Sequence, residues 1–340
     1  MEVRLVDPSN DEELAEWTAV LRASDKDLWP ELAGFALPDI RACARYGGRW
    51  KRFDLLAARE PGGPILGVGM MELPLRDNQH SADITVAVHP AHRRRGVGSA
   101  VVEGMAEHGR ADGRVVLNTI VDLPLHRAAD HPSLSFAPKL GFEAMLTGNT
   151  RHLDVPLVEA RMDELRAEVA RARDAATYRI LTFEAPWPAE YLQDQCTLFQ
   201  CMSTDEPHGD EGHEVEIWDA ERVRENDVFH AERGARFLIA VAQHIASGRL
   251  VACTELSIAA EAPRQAWQML TVVLPEHRGH RLGLAVKLAN LETLARHAPE
   301  VRVVVTGNAV VNGPMIAVND MMGFEVAGEG IFWQRHLERA

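Results

Sequence analysis

Two short stretches set cations, glycines and small residues in the same order: HRRRGVGSA at 92–100 and HRGHRLGLA at 277–285. A turn of this composition between a strand and a helix presents backbone N–H groups at the positive end of the helix dipole. That is a cradle for phosphate. Glycine lets the backbone approach the phosphates, and neighbouring arginines add charge-assisted contacts. Neither stretch ends in the GK[ST] of a P-loop. Neither has GxGxxG with an acidic residue about 20 positions on, which excludes a Rossmann fingerprint.

Groups that could move protons are fewer. Glu72 in GVGMMELPL and Glu255 in RLVACTELSI are carboxylates inside apolar strands. Such a position raises a carboxylate toward base-like behaviour unless its strand face is solvated. Asp83 and Thr85 are weaker candidates beside the first turn. After the second turn come Asn308, Asn312 and Asn319, whose amides donate and accept without titrating; Asn312 also suits a helix cap. The acidic segment MSTDEPHGDEGHEVE (202–216) offers Asp205, Glu206 and His208 to an ammonium-bearing substrate, with a solvated loop as the alternative. Asp205, His208 and Asp210 lack a fixed ligand geometry, and no metal site is expected.

These residues must be held by a repeated scaffold. ITVAV (84–88) reads as a buried strand ended by His-Pro, and apolar residues at 101, 102 and 105 mark one face of a helix. MLTVVL (269–274) and Leu284, Leu288, Leu291 and Leu294 give the same order in the second copy. Each copy continues with a further strand, 113–122 and 301–308. Each then reaches a Gly-Phe pair, Gly141-Phe142 and Gly323-Phe324. Strand, turn, helix, strand and Gly-Phe in one repeated order indicate an internal duplication. Between the copies, Val158, Met162, Leu165, Val169 and Ala172 space the stripe of an amphipathic helix. The expected division is a first domain at 1–155, a helical linker at 156–177 and a second domain at 178–340.

The totals agree with two globular domains: 340 residues, 46% of them hydrophobic and 25% charged. There is no apolar run of roughly 18 residues, and the acidic start MEVRLVDPSNDEE lacks the apolar core of a signal peptide. Four scattered cysteines without a CxxC pair fit a reducing cytoplasm. A net charge of −14 opposes nucleic acid and anionic membranes, and suits a cationic small substrate.

The form Arg93-Arg94-Arg95-Gly96-Val97-Gly98, after a V-x-V-x-P strand end and before a Gly-Phe, resembles the acyl-CoA signature of the GCN5-related N-acetyltransferases (the GNAT family). The resemblance spans nearly the whole chain as two tandem domains of mixed α/β fold, joined by a helical connector. It implies transfer of an acyl group from acetyl-CoA or another acyl-CoA to a small amine by direct attack. Pantetheine would pair with a splayed strand at Val86 and Val88, or at Val272 and Leu274. The pyrophosphate would lie over Arg93–Ser99, or over Arg278, Gly279, His280, Arg281, Leu282 and Gly283. Glu255, Asn308 and Asn319 would serve catalysis, and Asp205, Glu206, His208 and Asn312 the acceptor.

Two departures qualify that pattern. Arg281 stands where the first motif glycine belongs in copy two. The family's tyrosine acid, four residues before the Gly of Gly-Phe, is Ala137 in one copy and Asn319 in the other. Copy one keeps the better turn and copy two the richer chemistry, so catalysis is expected in copy two. An acyl-tRNA donor on the same fold, or a non-catalytic acyl-CoA-binding module, are the alternatives.

Overall fold

A computed structural model describes residues 1–129, 131–205 and 214–338. The chain begins with β1 (Glu2–Leu5), α1 (Asp11–Leu28), α2 (Leu37–Arg45), β2 (Lys51–Arg59), β3 (Ile65–Pro74) and β4 (Ser81–Val88). It continues through α3 (Val97–Ala111), β5 (Val116–Pro124), α4 (Leu125–Ala128), α5 (Ser133–Lys139) and β6 (Glu143–Asp154). A connector, α6 (Glu159–Ala170), leads to β7 (Tyr178–Glu184), α7 (Leu192–Asp205), α8 (Ala220–Glu232), β8 (Arg236–His244) and β9 (Leu250–Ile258). The last elements are β10 (Gln265–Val273), α9 (Leu282–His297), β11 (Val303–Ala309), α10 (Gly313–Met322) and β12 (Glu325–His336). Apart from α4, the order of the first half is repeated in the second.

The chain forms two compact units. Among the described residues unit 1 is Met1–Gly148, Glu214 and residues 328–338, and its strands run in the order β1-β2-β3-β4-β5-β12. Unit 2 comprises residues 149–205 and Val215–Ala327, in the order β6-β11-β10-β9-β8-β7. The units are thus interleaved in sequence, unlike the contiguous spans 1–155 and 178–340. β12 completes unit 1, pairing antiparallel with β5 from Gly328↔Pro124 to His336↔Val116. In unit 2, the Val155 N–H just after β6 donates to the Arg302 carbonyl at 2.9 Å.

In unit 1 the sequence explains how the helices seat. Asn10 caps α1 by accepting from the Glu13 N–H at 3.1 Å, and Leu14, Trp17 and Leu21 form its buried stripe. The Trp17 indole donates to the Leu56 carbonyl at 2.8 Å, so its one polar atom is satisfied in the core. On the sheet's other face, α3 lies against β3 at Gly67 and Gly69. A Cβ on Gly67 would stand 2.6 Å from Val97, and one on Gly69 2.6 Å from the Met105 sulfur. That close approach fixes where α3 begins, and hence where the first turn sits.

In unit 2, α9 packs Leu284, Leu288, Leu291 and Leu294 on one sheet face with Leu238, Leu256 and Val304. Met162 and Leu165 of α6 join the same cluster, whereas Val158 is exposed and Ala172 lies beyond the helix end. The opposite face carries Trp187, Phe199 and Val223 against Ile239, Cys253 and Val272.

Candidate active site

Each unit opens its sheet in the same place. β4 and β5 run parallel through Ser81↔Val116, Ala82↔Leu117 and Asp83↔Asn118, then part, although both strands continue. β10 and β11 likewise pair only from Gln265↔Val303 to Trp267↔Val305. Beyond each split, Ile84–Val88 and residues 270–274 keep one edge outside any ladder. An extended ligand can add there as a strand. Val86, Val88, Val272 and Leu274 all lie on these segments.

The two turns have one backbone shape. Left-handed φ angles occur at Arg94 (62°) and Gly96 (80°) in unit 1, and at Gly279 (83°) and Arg281 (55°) in unit 2. Each copy thus places glycine at one left-handed position and arginine at the other. Arg281 has not lost the turn; it occupies the conformation that Gly96 adopts. Nothing lies within 4 Å of a Cβ on Gly279, and Gly283 has only ordinary contacts with Val318 and Val273. In unit 1 a Cβ on Gly98 would meet Phe136 at 3.0 Å, a tighter mouth.

Several turn arginines are held by the protein. Arg93 donates to the Val88 carbonyl at 3.3 Å and to Asp27 at 2.7 Å. Arg278 repeats this with the Val273 carbonyl at 3.0 Å and with Asp205. Both therefore tie the turn to the end of a helix, α1 or α7. Arg95 pairs with Glu60, Arg281 with Glu168, and His280 faces the Arg173 carbonyl at 3.0 Å. The N–H groups at Val97–Ser99 and at Leu282 and Gly283 open α3 and α9, where the helix end favours an anion.

Glu255 and Glu72 differ sharply. Glu72 makes an ordinary ion pair with Lys51 at 2.9 Å, its side chain 37% exposed, and lies opposite Asp83 in the ladder. Glu255 is 7% exposed, and the Trp187 indole donates to it at 3.0 Å. Burial raises its carboxyl to about 7, and nearby Asp227 pushes the same way; the Trp187 bond opposes both. Asp227, on α8, is itself raised to about 6 by burial.

Beside Glu255 the β9–β10 ladder slips by one residue. Gln268 pairs with Leu256 and Thr271 with Thr254, so β10 spends three steps where β9 spends two. Met269 and Leu270 fall outside the register at this bulge. A buried network braces it: Gln268 donates to Thr254 Oγ1 and the Glu255 carbonyl, both at 2.8 Å, and the Thr254 and Thr271 hydroxyls lie 2.7 Å apart. The β3–β4 ladder of unit 1 keeps one register from Gly67↔Val88 to Glu72↔Asp83.

On the α9 face of unit 2, Lys287 is 1% exposed and donates to Asn319 Oδ1 at 2.6 Å. Asn319, fully buried, passes a hydrogen bond of 2.5 Å to Asn308. Burial lowers the Lys287 ammonium to about 7. The structure therefore joins Asn308 and Asn319 but gives Asn312 separate work, capping α10 through the Met315 N–H at 3.3 Å. Asp205 is engaged by Arg278 rather than standing open, and Glu206, His208, Asp210 and His213 lie outside the described residues. No group of three or more metal-ligating side chains assembles among the described residues. Tyr178, remote in sequence, packs among His244, His277 and His280 beside the second turn, its hydroxyl 3.0 Å from His277.

Sequence reasoning reads Trp187 as core or cleft wall, which its burial agrees with, but misses its bond to Glu255, and it misses Asp227, Gln268 and Lys287. The one available signal was Lys287 interrupting the leucine stripe of α9.

The acetyltransferase (GNAT) family model matches residues 21–142. Over its whole length the chain is similar to a tandem GNAT protein from the clavulanic acid biosynthesis pathway. That match has 30% identity, covers 99% of that chain and has a TM-score of 0.81. A GCN5-related N-acetyltransferase from Sphaerobacter thermophilus shares the fold at 14% identity and a TM-score of 0.63, covering 99% of this chain and 96% of that one. A glucosamine N-acetyltransferase region of a fungal multi-domain GH3 β-N-acetylglucosaminidase does so at 14% and 0.67, covering 98% of this chain and 38% of that one. No curated protein matches the chain. The chain belongs to the GNAT family, and its architecture is the tandem one. That fold is one of acyl-CoA-dependent N-acyl transfer in general, and no helix among the described residues is long and apolar enough to cross a membrane.

Proposed function

We propose that the protein transfers an acetyl group from acetyl-CoA to a small amine by direct attack, and that unit 2 is the catalytic half. The observation that carries this reading is the register slip in β10 beside buried Glu255, a combination unit 1 lacks. Acetyl-CoA would be held by the N–H groups at Leu282 and Gly283 and by the open edge at Val272 and Leu274. Its room over Gly279 and Gly283 supports the fit. Bound there, the thioester supplies an activated acyl carbon.

The chain's own residues then have separate tasks. Glu255 takes the proton from the acceptor's ammonium, leaving a nitrogen lone pair for the new C–N bond. A carboxylate with a pKa near neutrality is matched to that transfer. A backbone N–H freed at the bulge meets charge developing on the acyl oxygen. The C–S bond breaks with its electron pair on sulfur, and the extra proton on the newly acylated nitrogen passes to solvent. Glu255 pairs in register with Ile239, which belongs to the α7 face, whereas Lys287 belongs to α9 on the other face. Acceptor and leaving group are thereby given opposite sides of the sheet. The relative in clavulanic acid biosynthesis points to a biosynthetic amine as acceptor.

A second reading puts the acyl-CoA site in unit 1, where the family model matches. Calorimetric titration with acetyl-CoA separates them. Loss of a site in Gly283→Glu, with release of CoA from an amine panel abolished in Glu255→Gln, supports unit 2. One site per chain that Gly98→Glu removes and Gly283→Glu spares moves the function to unit 1.

A further inference from the structure

Lys287 has no evident structural reason to be a lysine. It is buried, and its one polar contact among the described residues is Asn319; a methionine or leucine would fill the same space without burying a charge. Its Nζ also lies over the Phe324 ring, 5.0 Å from the ring centre.

The chemistry of the three groups fixes their orientation. An ammonium only donates, so the Asn319 oxygen faces Lys287 and the Asn319 NH₂ faces Asn308. The Asn308 oxygen accepts that bond, which leaves the Asn308 NH₂ as the open end of the chain. Asn308 is half-buried and lies three residues past Val305, the last residue of β11 paired to β10. The row of donors therefore runs from buried Lys287 to the split in the sheet.

Unit 1 supplies an internal control. The helix offset aligns Lys287 with Val102, the Gly-Phe pairs align Asn319 with Ala137, and the first parallel pairs align Asn308 with Val121. All three belong to or pack against the apolar core of unit 1. The three polar residues occur together in one copy and are replaced together in the other, as expected of groups that act as a unit.

We infer that Lys287 is a positioning residue for acyl transfer in unit 2: through Asn319 it holds and polarises the Asn308 amide as a donor to the sulfur that leaves the acyl group. No proton crosses the amides. The sulfur keeps the C–S bonding pair as thiolate, Asn308 donates to it, and Lys287, charged or neutral, still donates to Asn319 and keeps the row aligned. This rests on the reading of unit 2 as an acyl-CoA site.

The test is an ultraviolet titration of the thiol of CoA bound to the Gly98→Glu protein, whose unit 1 turn is blocked, with binding followed calorimetrically on the same samples. The expected result is a bound-thiol pKa at least one unit below that of free CoA. Lys287→Met and Asn308→Val should each return it to the free value while CoA still binds, and Lys287→Arg should restore part of the drop. Asn308→Val changes a partly exposed residue and decides the matter if Lys287→Met fails to fold. If the Gly98→Glu protein binds no CoA, the acyl-CoA reading of unit 2 falls. If it binds CoA with an unshifted thiol, or if the variants leave the shift intact, the role given to Lys287 is overturned.

Discussion

Glu255 and Lys287 lie on opposite faces of the unit 2 sheet, and burial brings both to a pKa of about 7 from opposite directions. Above that pH the carboxylate can accept a proton while the lysine is an uncharged amine; below it the carboxyl is neutral and the lysine charged. They also leave opposite marks on stability.

For Glu255 the folded pKa lies above the ordinary 4.5. As pH rises, the unfolded chain releases this proton first and the folded chain holds it to about 7. The unfolded state then binds fewer protons, and stability falls across pH 4.5 to 7. Glu255→Gln keeps an oxygen for the Trp187 indole and cannot titrate. Urea unfolding should find the variant about 3 kcal/mol more stable than wild type at pH 8, with the difference gone near pH 4. Equal stability at both pH values would count against a buried, raised carboxyl.

Lys287 works the other way. Its folded pKa lies below the ordinary 10.5, so between about pH 7 and 10.5 the unfolded state binds more protons and stability rises with pH. Lys287→Met removes that rise, roughly 3–5 kcal/mol over the window, although its neutral-pH gain is reduced by leaving the Asn319 oxygen unpaired. The measurement is the slope of unfolding free energy against pH from 7 to 10. A wild-type slope that the variant keeps would contradict the assignment.

The duplicated strand, turn and helix could be read directly from the sequence because each is a contiguous local pattern. Alternation, glycine placement and leucine spacing report neighbours a few residues away. The exchange that gives β12 to unit 1 could not be read, since a strand's pattern states its buried face and not its partner. Glu255 could be suspected from its apolar strand, but its Trp187 donor comes from 68 residues earlier. Lys287 was hidden for a related reason: a lysine in a helix is ordinarily solvated, and only the tertiary packing of α9 buries it. The slip at Met269–Leu270 depends on the register of two strands, which a single strand does not encode.

Arg281 tests whether the second turn depends on shape or on side chain. Its left-handed backbone costs a branched or bulky residue about 1–2 kcal/mol and costs glycine almost nothing, while its solvent-exposed pair with Glu168 adds little. Arg281→Gly should therefore stay within about 1 kcal/mol of wild type and retain CoA binding in the Gly98→Glu background. Arg281→Val, β-branched at the same φ, should lose about 2 kcal/mol or more and weaken CoA binding at least tenfold. Thermal unfolding and calorimetric titration of the pair would decide it; a large loss of binding in Arg281→Gly would show that the guanidinium matters.

Gly67 makes the corresponding prediction for unit 1. Its missing side chain lets Val97, the first residue of α3, approach β3, and an added Cβ would stand 2.6 Å from a Val97 methyl and 3.4 Å from one on Val101. Both valines are buried and β-branched, so neither can swing aside cheaply. Relief requires α3 to lift from the sheet at the end that forms the turn. Gly67→Ala should cost about 1–3 kcal/mol through overpacking, seen as a lowered urea midpoint with an unchanged slope. It should also disturb the first turn while leaving the pH dependence assigned to Glu255 and Lys287 untouched, because those residues belong to the other unit. A variant as stable as wild type would mean that α3 is seated less tightly than the Gly67–Val97 approach implies.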